Sequence, residues 1–385
     1  MKRPTVLICG AGIAGPTLAY WLARNGFRPT VVERADSPRS SGNPVDVRGP
    51  AVGVARRMGI LPRLHEAATQ PAGLAFVTGS GRRIGPLRLG RPTGEGVEVP
   101  RADLAAILTD AARDDTELLF GDSITALRQD GGSVDVEFAH AAPRRFDLVV
   151  GADGLHSTVR ALVFGPETDF VRHLGLNVAT LPLGRPATDP GTVTMYNQPG
   201  RSLTIHPARG NAVAAFIFRG PAVDHRDRQQ VVVDAYAEHD WSVPELPDLR
   251  DQLRAADDLY FDSVSRIRLP GWSRGRVALL GDAACCLTLF GDGSSVAMTG
   301  AATLAEALAA TPDDPAAAFR GYETRHRRLA ESRQRGHSLA AALLIPATRP
   351  GLAARNLTAR LLPRTDQPAS AAPTMVRLSG KADAD

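Results

Sequence analysis

Apolar runs and amphipathic segments alternate along the first third of the chain. Thr5-Val6-Leu7-Ile8-Cys9 is a β-rich run that breaks at Gly10, and Pro16 to Asn25 then carries Leu18, Trp21 and Leu22 at helical spacing before Gly26. A second buried-type strand, Pro29 to Glu33, follows, so the first 33 residues predict one βαβ unit with a right-handed crossover. Residues 34–100, rich in Gly, Pro and Arg, predict one helix, Ala51 to Met58, among loops and short strands. Leu104, Ala105, Leu108 and Ala111 set a helical period over Arg101 to Ala112. Short strands are predicted over Glu117–Phe120, Ile124–Gln129 and Val134–Ala139, the last two joined by a turn at Asp130-Gly131-Gly132. Phe146 to Val150 reads as a buried strand that ends in Gly151-Ala152-Asp153-Gly154.

Between about 170 and 265 the texture changes to alternating segments divided by turn signals. Thr192–Asn197, Ser202–His206 and Ala212–Arg219 predict three antiparallel strands of an inserted β-layer. The alternation assigns Thr194, Tyr196, Thr204, His206, Phe216 and Phe218 to one face, and Met195, Ile205 and Ile217 to the other. A helix over Gln229–Glu238 and a returning buried strand over Val277–Leu280 come next. Helices over Ser294–Ala309 and Ala316–Ala342 complete the core, and a polar, frayed tail is expected after Pro363.

Composition narrows the class. The 385 residues are 43% hydrophobic and 22% charged, which suits a folded globular protein rather than a disordered or fibrous one. Lysine occurs only at Lys2 and Lys381, and the net charge of +4 is not arranged in a basic stripe with aromatics, so no nucleic-acid partner is expected. Three cysteines, Cys9, Cys285 and Cys286, are too few for a disulfide framework and lack zinc spacing; no metal site is expected, and a reducing cytoplasm fits. Neither Val6–Cys9 nor Leu339–Ile345 approaches the ~20 apolar residues of a membrane span, so no membrane association is expected.

Three motifs carry chemistry. Gly10-Ala11-Gly12-Ile13-Ala14-Gly15 is a GxGxxG between a predicted strand and a predicted helix, with Glu33 ending the next strand. In that context the glycines permit the turn, admit a pyrophosphate to the backbone and let helix pack on strand, while Glu33 accepts hydrogen bonds from a ribose diol. The second motif is Asp153-Gly154 with Ser157 and Arg160 behind it; the third is Gly281-Asp282-Ala283-Ala284, followed by Gly291-Asp292-Gly293 and a helix. Both put a carboxylate just beyond the carboxyl end of a buried strand, where open α/β sheets bind ligands, although each acid alone also suits a helix cap.

All three motifs, in this order and with a β-layer between the second and third, resemble the single-component flavin monooxygenases of the para-hydroxybenzoate hydroxylase type, including polyketide hydroxylases and tetracycline-inactivating enzymes. The resemblance covers roughly residues 4 to 345. It implies an α/β fold, with a Rossmann-like FAD-binding domain (1–73, 98–168 and 266–345), an inserted mainly β substrate domain (74–97 and 169–265) and a C-terminal helix with a flexible tail (346–385). It further implies FAD at Gly10, Gly12, Ala14, Gly15, Glu33 and Arg34, with Asp282 near the ribitol chain and Asp153 serving FAD and the pyridine nucleotide. Arg101 matches the arginine that reaches the phosphate and ribitol, and Arg48 lies in the segment that passes the flavin edge. Gly293, Ser294 and Ser295 would offer a Ser-capped helix start to the negative charge of reduced flavin.

The implied reaction takes NADPH or NADH, docking transiently, together with O2, and hydroxylates an aromatic or polyketide-like molecule through a C4a-hydroperoxyflavin. Met195, His206, Phe216 and Phe218 are the substrate candidates of the β-layer, and the protein is expected as a monomer or homodimer. Baeyer–Villiger oxygenation by the same intermediate is an alternative. A halogenase lacks support, since Asp240-Trp241-Ser242-Val243-Pro244 only faintly echoes the paired-Trp segment of those enzymes. A flavin-binding protein with altered turnover is a third reading. It is prompted by Cys285-Cys286-Leu287, where the family has His and a nearby Pro; the expected role of the two cysteines is small buried packing.

Overall fold

The computed structural model describes residues 3–37, 44–69, 71, 73–87, 96–208, 211–223, 227–237, 241–256, 259–286, 292–334 and 342–361. The opening apolar run forms the strand Thr5–Cys9 at the centre of a six-stranded sheet, between Arg28–Glu33 and Leu148–Gly151, both parallel to it. Across the sheet the order is Ser273–Arg274, Val277–Leu279, Leu148–Gly151, Thr5–Cys9, Arg28–Glu33 and Glu117–Phe120. Only the outermost pair, Ser273–Arg274 with Val277–Leu279, is antiparallel. Helices cover this sheet, which is why its strands are apolar throughout rather than alternating: Val6, Leu7, Ile8, Val149 and Val150 are all fully buried.

The helix Ala14–Arg24 packs against Arg101–Ala112 on one side and Gly293–Ala310 on the other, and Pro315–Gln334 packs behind Gly293–Ala310. The segment 34–100 holds two helices, Pro50–Arg57 and Leu61–Ala67, where one was expected. The second begins at Leu61-Pro62, a position where proline loses no intrahelical bond. Val45–Val47 pairs with Val97–Val99 in a small ribbon, and Ile124–Gln129, Val134–Phe138 and Arg144–Phe146 form a three-stranded meander. Residues 335–341 and 362–385, where the end of the long predicted helix and the predicted tail fall, lie outside the described residues.

A seven-stranded sheet forms the second layer. Its order is Tyr260–Ile267, Val171–Pro182, Val213–Arg219, Arg201–His206, Thr192–Gln198, Gly73–Thr78 and Arg83–Leu87. All pairs are antiparallel except Thr192–Gln198 with Gly73–Thr78. The register corrects the assignment of faces. Tyr196 lies opposite Leu203, and Leu203 opposite Phe216, so Ile205 shares a face with Thr194, Tyr196, Phe216 and Phe218. Thr204 and His206 belong instead with Met195 and Ile217. The Phe216 face packs on the helix Arg228–Ala237, with the Phe216 and Phe218 rings edge-on to Tyr236. The Met195 face looks the other way, toward the helix Arg349–Leu361 at one end and the six-stranded sheet at the other.

Candidate active site

The turn after Thr5–Cys9 is as tight as its glycines allow. Gly10 has φ 106°, and a Cβ there would meet Ala152 O at 2.5 Å; one at Gly15 would meet Gly10 O at 1.9 Å. Gly12 differs: a Cβ built on it has nothing within 4 Å, because it projects into a cavity of about 330 Å³. Glu33 braces the turn, accepting from Ala11 N–H (2.9 Å) and Ala35 N–H (3.0 Å). Its carboxylate also lines the cavity.

Gly10, Gly12, Ala14, Glu33, Arg34, Arg101, Asp153, Asp282, Gly293 and Ser294 line this one cavity. Gly15, Arg48 and Ser295 do not. Gly15 is a packing residue, and Ser295 donates to Asp46 O (2.7 Å) while accepting from Arg48 N–H (3.0 Å). The Arg48 guanidinium is paired with Asp46 and lies 3.8 Å from Asp292. The expected serine cap is not formed. Asp292 occupies the N-cap position of the helix Gly293–Ala310 with no side-chain capping bond, and the Ser294 hydroxyl donates to Asp46 O (2.5 Å). Those bonds clamp the helix to Val45–Val47, with its N-terminus at the cavity.

Asp153 faces both the cavity and its own backbone. It accepts from Ser157 Oγ (2.5 Å) and Val159 N–H (3.1 Å), while Ser157 caps the helix Thr158–Val163 through Arg160 N–H (3.0 Å). Burial raises the Asp153 pKa against these bonds. Arg160, fully buried, donates to Leu155 O (2.5 Å), Ala283 O (3.1 Å) and Glu167 (3.2 Å). The second and third motifs are thereby tied together through one side chain.

Sequence reading missed the opposite wall. Val178, Thr180 and Tyr260, from the seven-stranded sheet, line the same cavity, so it lies between the two sheets. The Tyr260 hydroxyl donates to Asp262 (3.1 Å), and Asp262 lies 3.6 Å from Nε2 of His156, whose Nδ1 is 3.0 Å from Glu167. These carboxylates, Asp262 foremost, raise the His156 pKa. His156 sits within the Asp153-Gly154 motif and was legible as a polar residue there; Tyr260 and Thr180 had no local signal. Of the substrate candidates, Met195 and His206 lie on the face turned toward this side, whereas Phe216 and Phe218 are corrected to the helix-packed face.

The FAD binding domain family model matches residues 3–334. A flavin-dependent monooxygenase of Legionella longbeachae is 31% identical over 350 residues, covering 87% of this chain and 88% of that protein. An uncharacterized protein of Mycobacterium tuberculosis is 40% identical over 343 residues, covering 86% and 91%. This chain is an FAD-dependent monooxygenase of that family. Among solved structures, tetracycline destructase Tet(51) matches with TM-score 0.81 and 29% identity, over 94% of this chain and 96% of that one. HpxO of Klebsiella pneumoniae, complexed with FAD and uric acid, shares the fold at TM-score 0.70 and 24% identity, over 93% of each chain.

The residues present suit the monooxygenase's FAD. The open space at Gly12 is where a pyrophosphate needs backbone approach, the Glu33 carboxylate lies beside it, and a helix N-terminus faces the far end. Cys285 and Cys286 are buried in the main core, and burial raises the Cys285 thiol pKa, which keeps that thiol protonated at neutral pH. Residues 287–291, the rest of the segment that departs from the family pattern, lie outside the described residues. Among the described residues no cluster could hold a metal ion, and no helix is long and apolar enough to cross a membrane.

Proposed function

We propose that this chain hydroxylates an aromatic or polyketide-like small molecule, using NADPH or NADH as reductant and O2 as the source of the inserted oxygen. The observation that carries the reading is the cavity between two sheets, with glycine turn, Glu33 and Asp282 on one wall and Val178, Thr180 and Tyr260 on the other. The similarity to Tet(51), a tetracycline destructase, supports the polycyclic substrate class.

When bound, FAD would supply the redox chemistry, hydride acceptance from the nicotinamide and activation of O2, with one oxygen atom destined for the substrate and the other for water. The protein binds, orients and excludes water. Glu33 holds the ribose diol, Gly12 lets the backbone approach the pyrophosphate, and Arg101 and Asp282 hold the phosphate and ribitol. Asp153, in the segment beside His156, serves the passing nicotinamide nucleotide. The N-terminus of Gly293–Ala310 favours negative charge on the reduced ring, an effect of roughly 0.3–2 kcal/mol. Val178 and Thr180 wall off the reacting side, and the Tyr260–Asp262–His156 chain gives a proton a route between cavity and surface. The reading includes the domain division given above, a cytoplasmic location and a monomer or homodimer.

The test is NADPH consumption under air by the FAD-loaded protein, with and without phenols and fused-ring aromatics, with product mass read under isotope-labelled O2. Stimulated consumption and one heavy oxygen in the product are expected. Products that draw oxygen from water, or consumption that no ring compound alters, would contradict the reading.

A further inference from the structure

A second cavity, of about 420 Å³, lies between the end of the strand Tyr260–Ile267 and the helix Pro315–Gln334, and it shares no lining residue with the cofactor cavity. Its volume is within the range of small-molecule sites. Its floor is buried and mostly apolar: Leu269, Trp272, Ala284 and Cys285, the last two directly following the Gly281–Ala283 turn whose Asp282 borders the cofactor cavity. Its walls carry the side chains of Arg266, Arg268 and Arg327, and Glu331 lines it on the exposed side.

These cations are incompletely answered. Arg327 is paired, its Nη2 donating to Glu323 (2.5 Å) and to Leu269 O (3.2 Å). Among the described residues the guanidinium groups of Arg266 and Arg268 have neither an ion pair nor a hydrogen bond, and Nε of Arg266 is buried without a partner. Opposite Arg266 on the neighbouring strand stands Arg172, whose donors go to the carbonyls of Thr168, Val171 and Asp169. Like charges facing each other across two strands destabilise the pair, and a buried N–H without an acceptor adds to that cost. The Arg327–Glu323 pair cancels; Arg266 and Arg268 against Glu331 leave one positive charge in excess, and Arg172 adds a second.

We propose that this second cavity binds a small phosphate monoester, separately from the FAD site. The phosphoryl oxygens take the N–H groups of Arg266, Arg268 and Arg327, and the organic part lies on the floor against Trp272 and Cys285. A dianion matches the two positive charges in excess, as a carboxylate does not, and guanidinium forks suit phosphate oxygens in pairs. That chemistry has two sources: a phosphorylated small molecule of its own, or the 2′-phosphate that distinguishes NADPH from NADH.

The experiment uses the full chain loaded with FAD, titrated in a calorimeter at constant ionic strength and at a pH where a phosphate monoester is dianionic. The probes are butyl phosphate, pentanoate and butanol, which carry no ring to compete for the cofactor side. Butyl phosphate should saturate one site with a Kd of about 1 mM or tighter, and at least about tenfold tighter than pentanoate or butanol. Arg266→Gln and Arg268→Gln should each weaken it about tenfold and leave FAD affinity unchanged. No saturable binding, pentanoate bound as tightly as butyl phosphate, or an affinity for butyl phosphate unchanged in both variants overturns the proposal. Should Arg266→Gln fail to fold, Arg268→Gln, altered at an exposed side chain, still decides it. Flavin reduction without air then separates the sources. A KM raised in the variants for NADPH and not for NADH names the 2′-phosphate, and a KM unchanged for both names a separate phosphorylated molecule. Binding is read without turnover, so a chain that holds butyl phosphate but whose flavin neither nucleotide reduces keeps this inference and loses the hydroxylase reading.

Discussion

Single residues divide the glycine motif into two jobs. Gly15 has no room for a methyl group against Gly10 O, whereas Gly12 has open space where its Cβ would go. Gly15→Ala should therefore disrupt the turn and lower the thermal midpoint sharply. Gly12→Ala should leave the midpoint of the cofactor-free chain unchanged and weaken FAD binding about tenfold or more, as flavin fluorescence titration would measure. A Gly12→Ala protein with unaltered FAD affinity would mean that the cavity beside it is not the pyrophosphate site. These backbone-driven positions were legible in the sequence because the motif states a steric demand. The ion pairing of Arg48 was not: its contact with Asp46 and nearness to Asp292 depend on a ribbon ending at Val47 and a helix start at Asp292, 245 residues apart.

Elements set where such residues end up. The buried strands and long helices were readable from periodicity, because helix-covered parallel sheets demand continuous apolar runs. The short helix Leu61–Ala67 escaped, since two turns flanked by Gly59 and a mid-segment Pro62 carry too little periodicity to stand out. The face error in the β-layer has a specific cause. Gln198 pairs with Arg201 across a two-residue turn, which fixes the parity of the middle strand; shifting that strand by one residue exchanged Ile205 for Thr204 and His206. Arg160 shows how elements are joined. It satisfies the carbonyls of Leu155 and Ala283, so Arg160→Ala should destabilise the chain by about 3–5 kcal/mol in urea unfolding. A loss below about 1 kcal/mol would show that this junction does not hold the two motifs together.

At the scale of the whole molecule, one buried histidine, His326, and one half-buried histidine, His206, make stability depend on pH. Burial lowers the pKa of His326, packed between Trp272, Tyr322 and Gly300, to about 4, and that of His206 to about 4. Both are neutral when folded and take up a proton on unfolding below their ordinary value near 6.5. Their contribution is present above pH 6.5 and is lost as the pH falls toward 4, up to about 3 kcal/mol for His326. The thermal midpoint should fall across that window, and His326→Phe should flatten the fall; an unchanged slope in the variant would count against the buried neutral form.

The molecule's function depends on the meeting of two sheets, and that meeting was the least legible part of the chain. Thr180 and Tyr260 carry no motif, and only tertiary packing brings them opposite Gly12 and Asp282. The most direct test of the account is the visible absorption spectrum of the purified full chain after incubation with FAD and removal of free cofactor. Retained flavin bands, bleached when NADPH is added without air and restored by O2, are the predicted result. A colourless protein, or bound flavin that neither NADPH nor NADH reduces, would contradict it.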